Sequence, residues 1–228
     1  MDKVIEFLRQ LKENNNREWF NAHKDAYLLA QARFNTFVEQ LLGILTQADD
    51  TLSGLTAKDC TFRIYRDVRF SKDKSPYKTH MGAYICRSGK KSGFSGYYFH
   101  VGVGGTGYPD GHMLAVGDYM CDPKVLKILR EDILEEGDYF DEIVTRKAHK
   151  DFVLDDSFKL RKVPKGFPQD SPWADYLKYK VYCLYQEPDE KLFTDNDSVH
   201  LVADIFLSAK PFLDFINRAI EYVKEGNE

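Results

Sequence analysis

Tyr97-Tyr98-Phe99-His100-Val101-Gly102-Val103, Gly104-Gly105-Thr106-Gly107-Tyr108-Pro109-Asp110-Gly111 and His112-Met113-Leu114-Ala115-Val116 follow one another without a gap. Two runs of strand length flank a loop built from turn formers. Aromatic and β-branched residues suit a pleated, half-buried surface, and glycine, proline and aspartate mark the return of the chain. A return this short favours antiparallel pairing of the two runs. Folding the hairpin about Thr106 would set His100 opposite His112 on one face.

Reading upstream, Met81 to Arg87 predicts another strand, joined to Tyr97 by the glycine-containing stretch Gly89 to Gly96. Phe62-Arg63-Ile64-Tyr65-Arg66 alternates with period two and predicts the first strand, with turn residues Ser71 to Pro76 after it. Before it the period is helical. Val4, Ile5, Leu8 and Leu11 share one face of a first helix. A second is expected from the N-cap Asn16 to about Thr46, with Tyr27, Ala30, Phe34, Phe37, Leu41 and Leu45 as its apolar stripe.

Downstream, Asp122-Pro123 reads as N-cap and first residue of a helix carrying Val125, Leu126, Leu129 and Ile133. A shorter helix is expected near Tyr139 to Arg146, another after Ser171-Pro172, and a further strand over Val181 to Tyr185. The C-terminal stretch spaces Val199, Val202, Phe206, Phe212, Phe215, Ile216, Ala219, Ile220 and Val223 at helical intervals, divided at Pro211. These elements predict an α+β fold: an antiparallel sheet of sequential strands, with N-terminal helices and a long C-terminal helical region packed on it. Residues 1–228 contain no repeat or low-complexity linker, and a single domain is expected.

The 228 residues are 43% hydrophobic and 14% aromatic, enough for a packed core. No apolar run is long enough for a membrane span and no signal-peptide pattern opens the chain, so a cytoplasmic protein is expected. Cys60, Cys86, Cys121 and Cys183 are far apart in sequence and form no Cys-x-x-Cys pair; reduced, mostly buried thiols are expected. The formal charge of −4 argues against a general nucleic-acid binder.

That charge is unevenly spread. Between Thr61 and His80 six cations (Arg63, Arg66, Arg69, Lys72, Lys74, Lys78) stand against two acids, Asp67 and Asp73. Guanidinium groups bind two anionic oxygens at once, lysines add point charge, and Tyr65 or Tyr77 offers a stacking face. Such a segment suits a phosphate or carboxylate. It also suits a solvated hairpin whose charges pair internally. Alternation sets Arg63 on the face opposite Arg66 unless a bulge intervenes, which favours the turn-proximal group Arg66, Arg69, Lys72 and Lys74.

His80 and His100 are the candidates for proton transfer. A metal at His100 and His112 lacks a third ligand in the local pattern, with His80 or Asp118 able to supply one only through the fold, and no metal is assigned. Neither a phosphate-binding Gly-x-x-x-x-Gly-Lys-Ser/Thr loop nor a Gly-x-Ser-x-Gly nucleophile turn occurs.

Four motifs together resemble a bacterial and fungal family, domain of unknown function 2461. They are Asn14-Asn15-Asn16-Arg17-Glu18-Trp19-Phe20; Phe62-Arg63-Ile64-Tyr65-Arg66-Asp67 continuing through Arg69-Phe70-Ser71-Lys72-Asp73-Lys74-Ser75-Pro76-Tyr77-Lys78-Thr79-His80; Gly96-Tyr97-Tyr98-Phe99-His100; and Val163-Pro164-Lys165-Gly166-Phe167. The resemblance implies no particular activity, substrate or cofactor. It does place Asn16, Arg17, Arg63, Arg66, Arg69, Lys72, Lys74, Lys78, His80 and His100 on the family's motifs. The functional expectation is binding of a phosphorylated or otherwise anionic small molecule by the segment Arg63 to His80, with catalysis through His80 or His100 as its extension. The alternatives are a nucleic-acid or protein interaction module and a purely structural basic hairpin.

Overall fold

A computed structural model describes residues 1–104, 111–146 and 151–226, so most of the Gly104 to Gly111 loop, including its expected pivot at Thr106, lies outside the described residues. Helices α1 (Asp2–Glu13), α2 (Arg17–Ala22), α3 (Lys24–Ala48) and α4 (Ala57–Cys60) precede strands β1 (His80–Cys86), β2 (Gly96–Gly102) and β3 (Met113–Asp118). Then come α5 (Pro123–Glu135), α6 (Gly137–Val144), β4 (Val153–Leu154), β5 (Tyr182–Gln186), α7 (Lys191–Thr194), α8 (Ser198–Ser208) and α9 (Lys210–Glu225). The sheet is antiparallel with strand order β1-β2-β3-β5-β4. The fold is therefore α+β with a C-terminal helical region. Among the described residues no helix is long and apolar enough to cross a membrane.

By packing, the chain groups into two compact units assembled from interleaved segments. The first comprises Met1–Lys90, Tyr98–Leu114 and Glu187–Asp204. In it α1 buries Val4, Ile5, Phe7, Leu8 and Leu11 and packs on α3, whose buried stripe runs from Tyr27 to Leu45. Phe34 and Phe37 approach the ring of Phe99 at 5.4 and 5.5 Å, so Phe99 on β2 points at the helices. Alternation along β2 then turns Tyr98 and His100 to the other face of the strand.

Two sequence expectations fail in this unit. The helix expected from Asn16 to Thr46 is broken at His23, whose backbone leaves helical geometry (φ −112°, ψ 26°). The His23 ring stacks on Trp19 at 4.1 Å, and its Nδ1 lies 2.8 Å from the Trp19 carbonyl, which also accepts from the His23 backbone N–H. The side chain thus competes for the end of α2 as a cap does. Asn16 caps the start of α2 as expected, accepting from Trp19 N–H at 2.9 Å.

The strand expected at Phe62 is instead an extended segment held by isolated pairings. Thr61 pairs with Ala83 and Tyr65 with Tyr77, so the five residues from Thr61 to Tyr65 face the seven from Tyr77 to Ala83. The surplus lies between Phe62 N–H, which donates to Gly82 O at 3.0 Å, and Ile64 O, which accepts from Lys78 N–H at 2.8 Å. This is a bulge around Thr79 to Met81. It interrupts the ladder and re-aims the side chains on either side of it.

The second unit comprises Lys91–Tyr97, Ala115–Gln186 and Ile205–Glu228. Asp122 caps α5 by accepting from Lys124 N–H at 2.7 Å, with Pro123 in the first turn. Phe140 on α6 anchors an aromatic cluster with Tyr176, Tyr182, Phe212 and Phe215. Buried Arg130 is tolerated because its guanidinium donates to the carbonyls of Leu177 and Tyr179 at 2.9 and 2.8 Å. The helix expected after Ser171-Pro172 is a turn followed by a single 3₁₀ turn, Tyr176–Lys178. Strand β4 has two residues, paired Val153 with Tyr185 and Leu154 with Leu184, too few to show alternation in sequence. Cys60, Cys86 and Cys183 are buried, Cys121 is partly so, and all four are free thiols.

Candidate anion-binding site

The first unit carries a cavity of about 190 Å³ lined by Phe62, Arg63, Lys78, His80, Gly82 and Tyr98. Its back is polar and fully bonded. His100 Nε2 lies 2.8 Å from the Gly111 carbonyl, which can only accept, so Nε2 carries the hydrogen. In a neutral imidazole Nδ1 is then the acceptor, and it receives the Tyr98 hydroxyl hydrogen across 2.9 Å. Burial pushes His100 down to about 3, with the neighbouring His80 adding to it, and burial pushes Tyr98 up to about 12. Both groups are neutral at neutral pH.

Two glycines make this arrangement possible. A Cβ on Gly82 would sit 3.2 Å from both His100 Cβ and Tyr98 Oη, while one on Gly102 would sit 2.4 Å from the Gly111 carbonyl oxygen. The missing side chain at Gly102 lets that carbonyl reach His100; the one at Gly82 leaves the Tyr98 hydroxyl room in the cavity wall.

His80 lies in front of this pair, its ring 4.8 Å from the His100 ring. Burial, then Lys78, then Arg66 push it down to about 4. Among the described residues nothing hydrogen-bonds its ring, so at neutral pH it presents an uncharged imidazole with an unused lone pair. Lys78 is held below the ordinary lysine value by burial and by the adjacent Arg63. Its Nζ lies 5.6 Å from the centre of the Phe62 ring. Among the described residues neither Arg63 nor Lys78 comes within ion-pair distance of a carboxylate, although Arg63 is near enough to Asp67 to add to the lowering that Arg69 causes there.

The other cations of the segment are engaged elsewhere. Arg66 pairs with Asp73 and donates to the Ser75 carbonyl at 3.0 Å, tying the loop to itself; hydrogen bonds from Ser75 and then Arg66 hold Asp73 down to about 2. Arg69 pairs with Asp67 at 2.6 Å in solvent, and Lys74 donates to the Val68 carbonyl at 3.0 Å. Lys72 is exposed. The structure thus brings together Arg63, Lys78 and His80 with His100 behind them, and leaves Arg69, Lys72 and Lys74 outside the cavity wall. Arg63 and Arg66 lie apart, as alternation requires, but the cavity is on the Arg63 side, because Asp73, Ser75 and Asp67 engage the turn-proximal arginines.

His112 is not the ring partner of His100. Its Nδ1 accepts from Gly102 N–H at 3.3 Å, its Nε2 lies 3.7 Å from Glu190, and it packs on Phe193 at 5.2 Å. Among the described residues no three His, Cys, Asp or Glu side chains gather as metal ligands. A second cavity of about 470 Å³, lined by Arg9, Lys12, Glu13, Gly102, Val103 and Glu190, has its cations engaged: Arg9 with Glu190 at 2.6 Å and Lys12 with the Val103 carbonyl at 3.0 Å.

The asparagine motif supports the basic one directly. The Asn15 side chain accepts from Tyr77 N–H at 3.1 Å and donates to Tyr77 O at 3.0 Å, as a neighbouring strand would, and Phe20 stacks on the Tyr77 ring at 4.0 Å. A sequence model of the family described as "Conserved hypothetical protein (DUF2461)" matches residues 3–215. The chain belongs to this family. No protein of curated function and no solved structure matches it.

Within this DUF2461 chain, sequence reasoning passed over Tyr98, Phe62 and Gly82 as wall residues. Tyr98 was accessible in principle, since a residue two before His100 on a strand shares its face. Gly82 carried no signal, because its role depends on the strand beside it.

Proposed function

We propose that this protein binds a small phosphorylated or otherwise anionic molecule in the cavity between Arg63 and Lys78, with His80 as the group placed to accept a proton from it. One observation carries the reading: two cations without carboxylate partners share a cavity, while their neighbours Arg66 and Arg69 are paired. Two adjacent like charges, one of them partly desolvated, are stabilised by an anion between them. A cavity of about 190 Å³ is below the roughly 300–1,000 Å³ of sites for drug-sized ligands, which fits a small anion or the anionic end of a larger molecule. His80 rather than His100 takes the proton, because both nitrogens of His100 are committed.

The test is thermal unfolding with inorganic phosphate and glycerol 3-phosphate, comparing the parent with Arg63→Ala, Lys78→Met and Arg69→Ala. Ligand binding to the native state raises the midpoint. Parent and Arg69→Ala should shift and the other two should not. Equal shifts in all four proteins, or none in the parent, would sink the reading.

A further inference from the structure

We propose that the anion taken by this site is the phosphate of a nucleotide, whose base stacks on Phe62 at the rim of the cavity. The inference rests on the anion-binding reading above and adds the class of molecule. Its starting point is the exposure of aromatic rings where charge alone would suffice. Phe62 is 43% exposed, although it lines the cavity. Tyr65 (48%) and Phe70 (96%) are exposed on the same basic segment. A phenyl ring left in water forfeits its burial, and a binding surface is the commonest reason for grouping several.

The geometry limits what Phe62 can meet. Arg63 follows it directly in sequence, and Lys78 Nζ lies over the Phe62 ring, 5.6 Å from its centre, so a base is expected to stack on the face of the ring that Lys78 leaves open. A phosphate held by Lys78 and Arg63 therefore places the next rigid group of a 5′-nucleotide within reach of the Phe62 ring. The cavity volume acts in the same direction: about 190 Å³ admits a phosphoryl group and part of a sugar, leaving a planar base outside, at the rim. Stacking tolerates any base, since every base has a π-face. Among the described residues no aspartate, glutamate, asparagine or glutamine lines the cavity to read a base edge, so discrimination between bases is expected to be weak.

The experiment measures dissociation constants by calorimetry for inorganic phosphate, ribose 5-phosphate, AMP and a 5′-phosphorylated trinucleotide. The proteins are the parent, Phe62→Ala, Phe62→Tyr and Lys78→Met. AMP should bind about tenfold more tightly than ribose 5-phosphate, the increment expected of one stacked base. Phe62→Ala should abolish that difference whatever it does to the affinity for ribose 5-phosphate itself, and Phe62→Tyr should keep it. A trinucleotide equal to AMP identifies a free nucleotide as ligand, and a tighter one identifies the 5′ end of a chain. Both outcomes support the stacked base. Equal affinity for AMP and ribose 5-phosphate in the parent would overturn the nucleotide inference and leave the anion site standing. Absence of binding by all four compounds would remove the anion site as well.

Discussion

Replacing His100 by Gln should flatten the acid limb of this protein's stability curve. Burial, reinforced by His80, holds His100 at about 3 in the folded chain against an ordinary 6.5. The folded value lies below the unfolded one. Between the two, the unfolded chain binds a proton that the native chain does not, so the stability is fully present above pH 6.5 and is lost as pH falls. Each unit of that window is worth about 1.4 kcal/mol, so a pKa of about 3 corresponds to roughly 5 kcal/mol over the whole descent. Against a typical total of about 5–15 kcal/mol, this one side chain is a major cause of acid lability.

Gln keeps a hydrogen for the Gly111 carbonyl but does not titrate. At pH 7 it should cost about 1 kcal/mol through the weakened Tyr98 hydrogen bond. Urea unfolding followed by circular dichroism at half-unit steps from pH 7.5 to 4.5 would show the parent falling faster, by about 1.4 kcal/mol per unit below about pH 5.5. The two curves should therefore cross. His80, depressed to about 4 by burial and by Lys78 and Arg66, keeps its own contribution in both proteins, so the difference isolates His100. Parallel curves across this range would refute the assignment of His100 as a buried neutral imidazole.

Two further substitutions test the supports of the site. Asn15→Ala strips both backbone partners from buried Tyr77 and should cost about 1–3 kcal/mol in urea unfolding, more than Asn14→Ala, which loses only an exposed hydrogen bond to the Gln10 carbonyl at the end of α1. Gly102→Ala puts a Cβ 2.4 Å from a backbone oxygen that cannot swing away, so it should destabilise by about 1–3 kcal/mol and displace the Gly111 carbonyl from His100, read as an altered His100 ring resonance in NMR. An unchanged resonance would show that the carbonyl reaches His100 without the space at Gly102.

The parts of the fold that were legible in sequence are those where one local rule decides. Strand-length runs between turn formers marked the strands at Met81, Tyr97 and His112, and Asp122-Pro123 marked the start of α5, because turns and caps involve only neighbouring residues. The break at His23 was not legible: a histidine within an unbroken helical pattern gives no sign that its ring will stack on Trp19 and compete for a backbone carbonyl. The basic segment was plain as composition, but its division of labour was not. Asp73 and Ser75 form a local turn that captures Arg66, and Asp67 captures Arg69 two residues away, so proximity in sequence to an acid separated structural cations from the unpaired Arg63 and Lys78. That rule was available, whereas alternation only separated Arg63 from Arg66 and could not say which side held the cavity.

The bulge at Thr79 to Met81 separates the chemistry of this protein from its architecture. Regular pairing carried down from Phe62 and Gly82 would set Ile64 opposite His80; the two surplus residues instead bring Lys78 to Ile64, so that His80, the first residue of β1, has no partner on the Phe62 side. Because the surplus is even, removing it would leave every side chain's in-or-out orientation intact. A two-residue deletion here would remove the residues that carry His80 to the cavity, and would also disturb the β2 side, where the Thr79 carbonyl accepts from Val103 N–H at 3.1 Å. The spacing between Ile64 and Gly82 thus sets where His80 stands relative to Arg63 and Lys78.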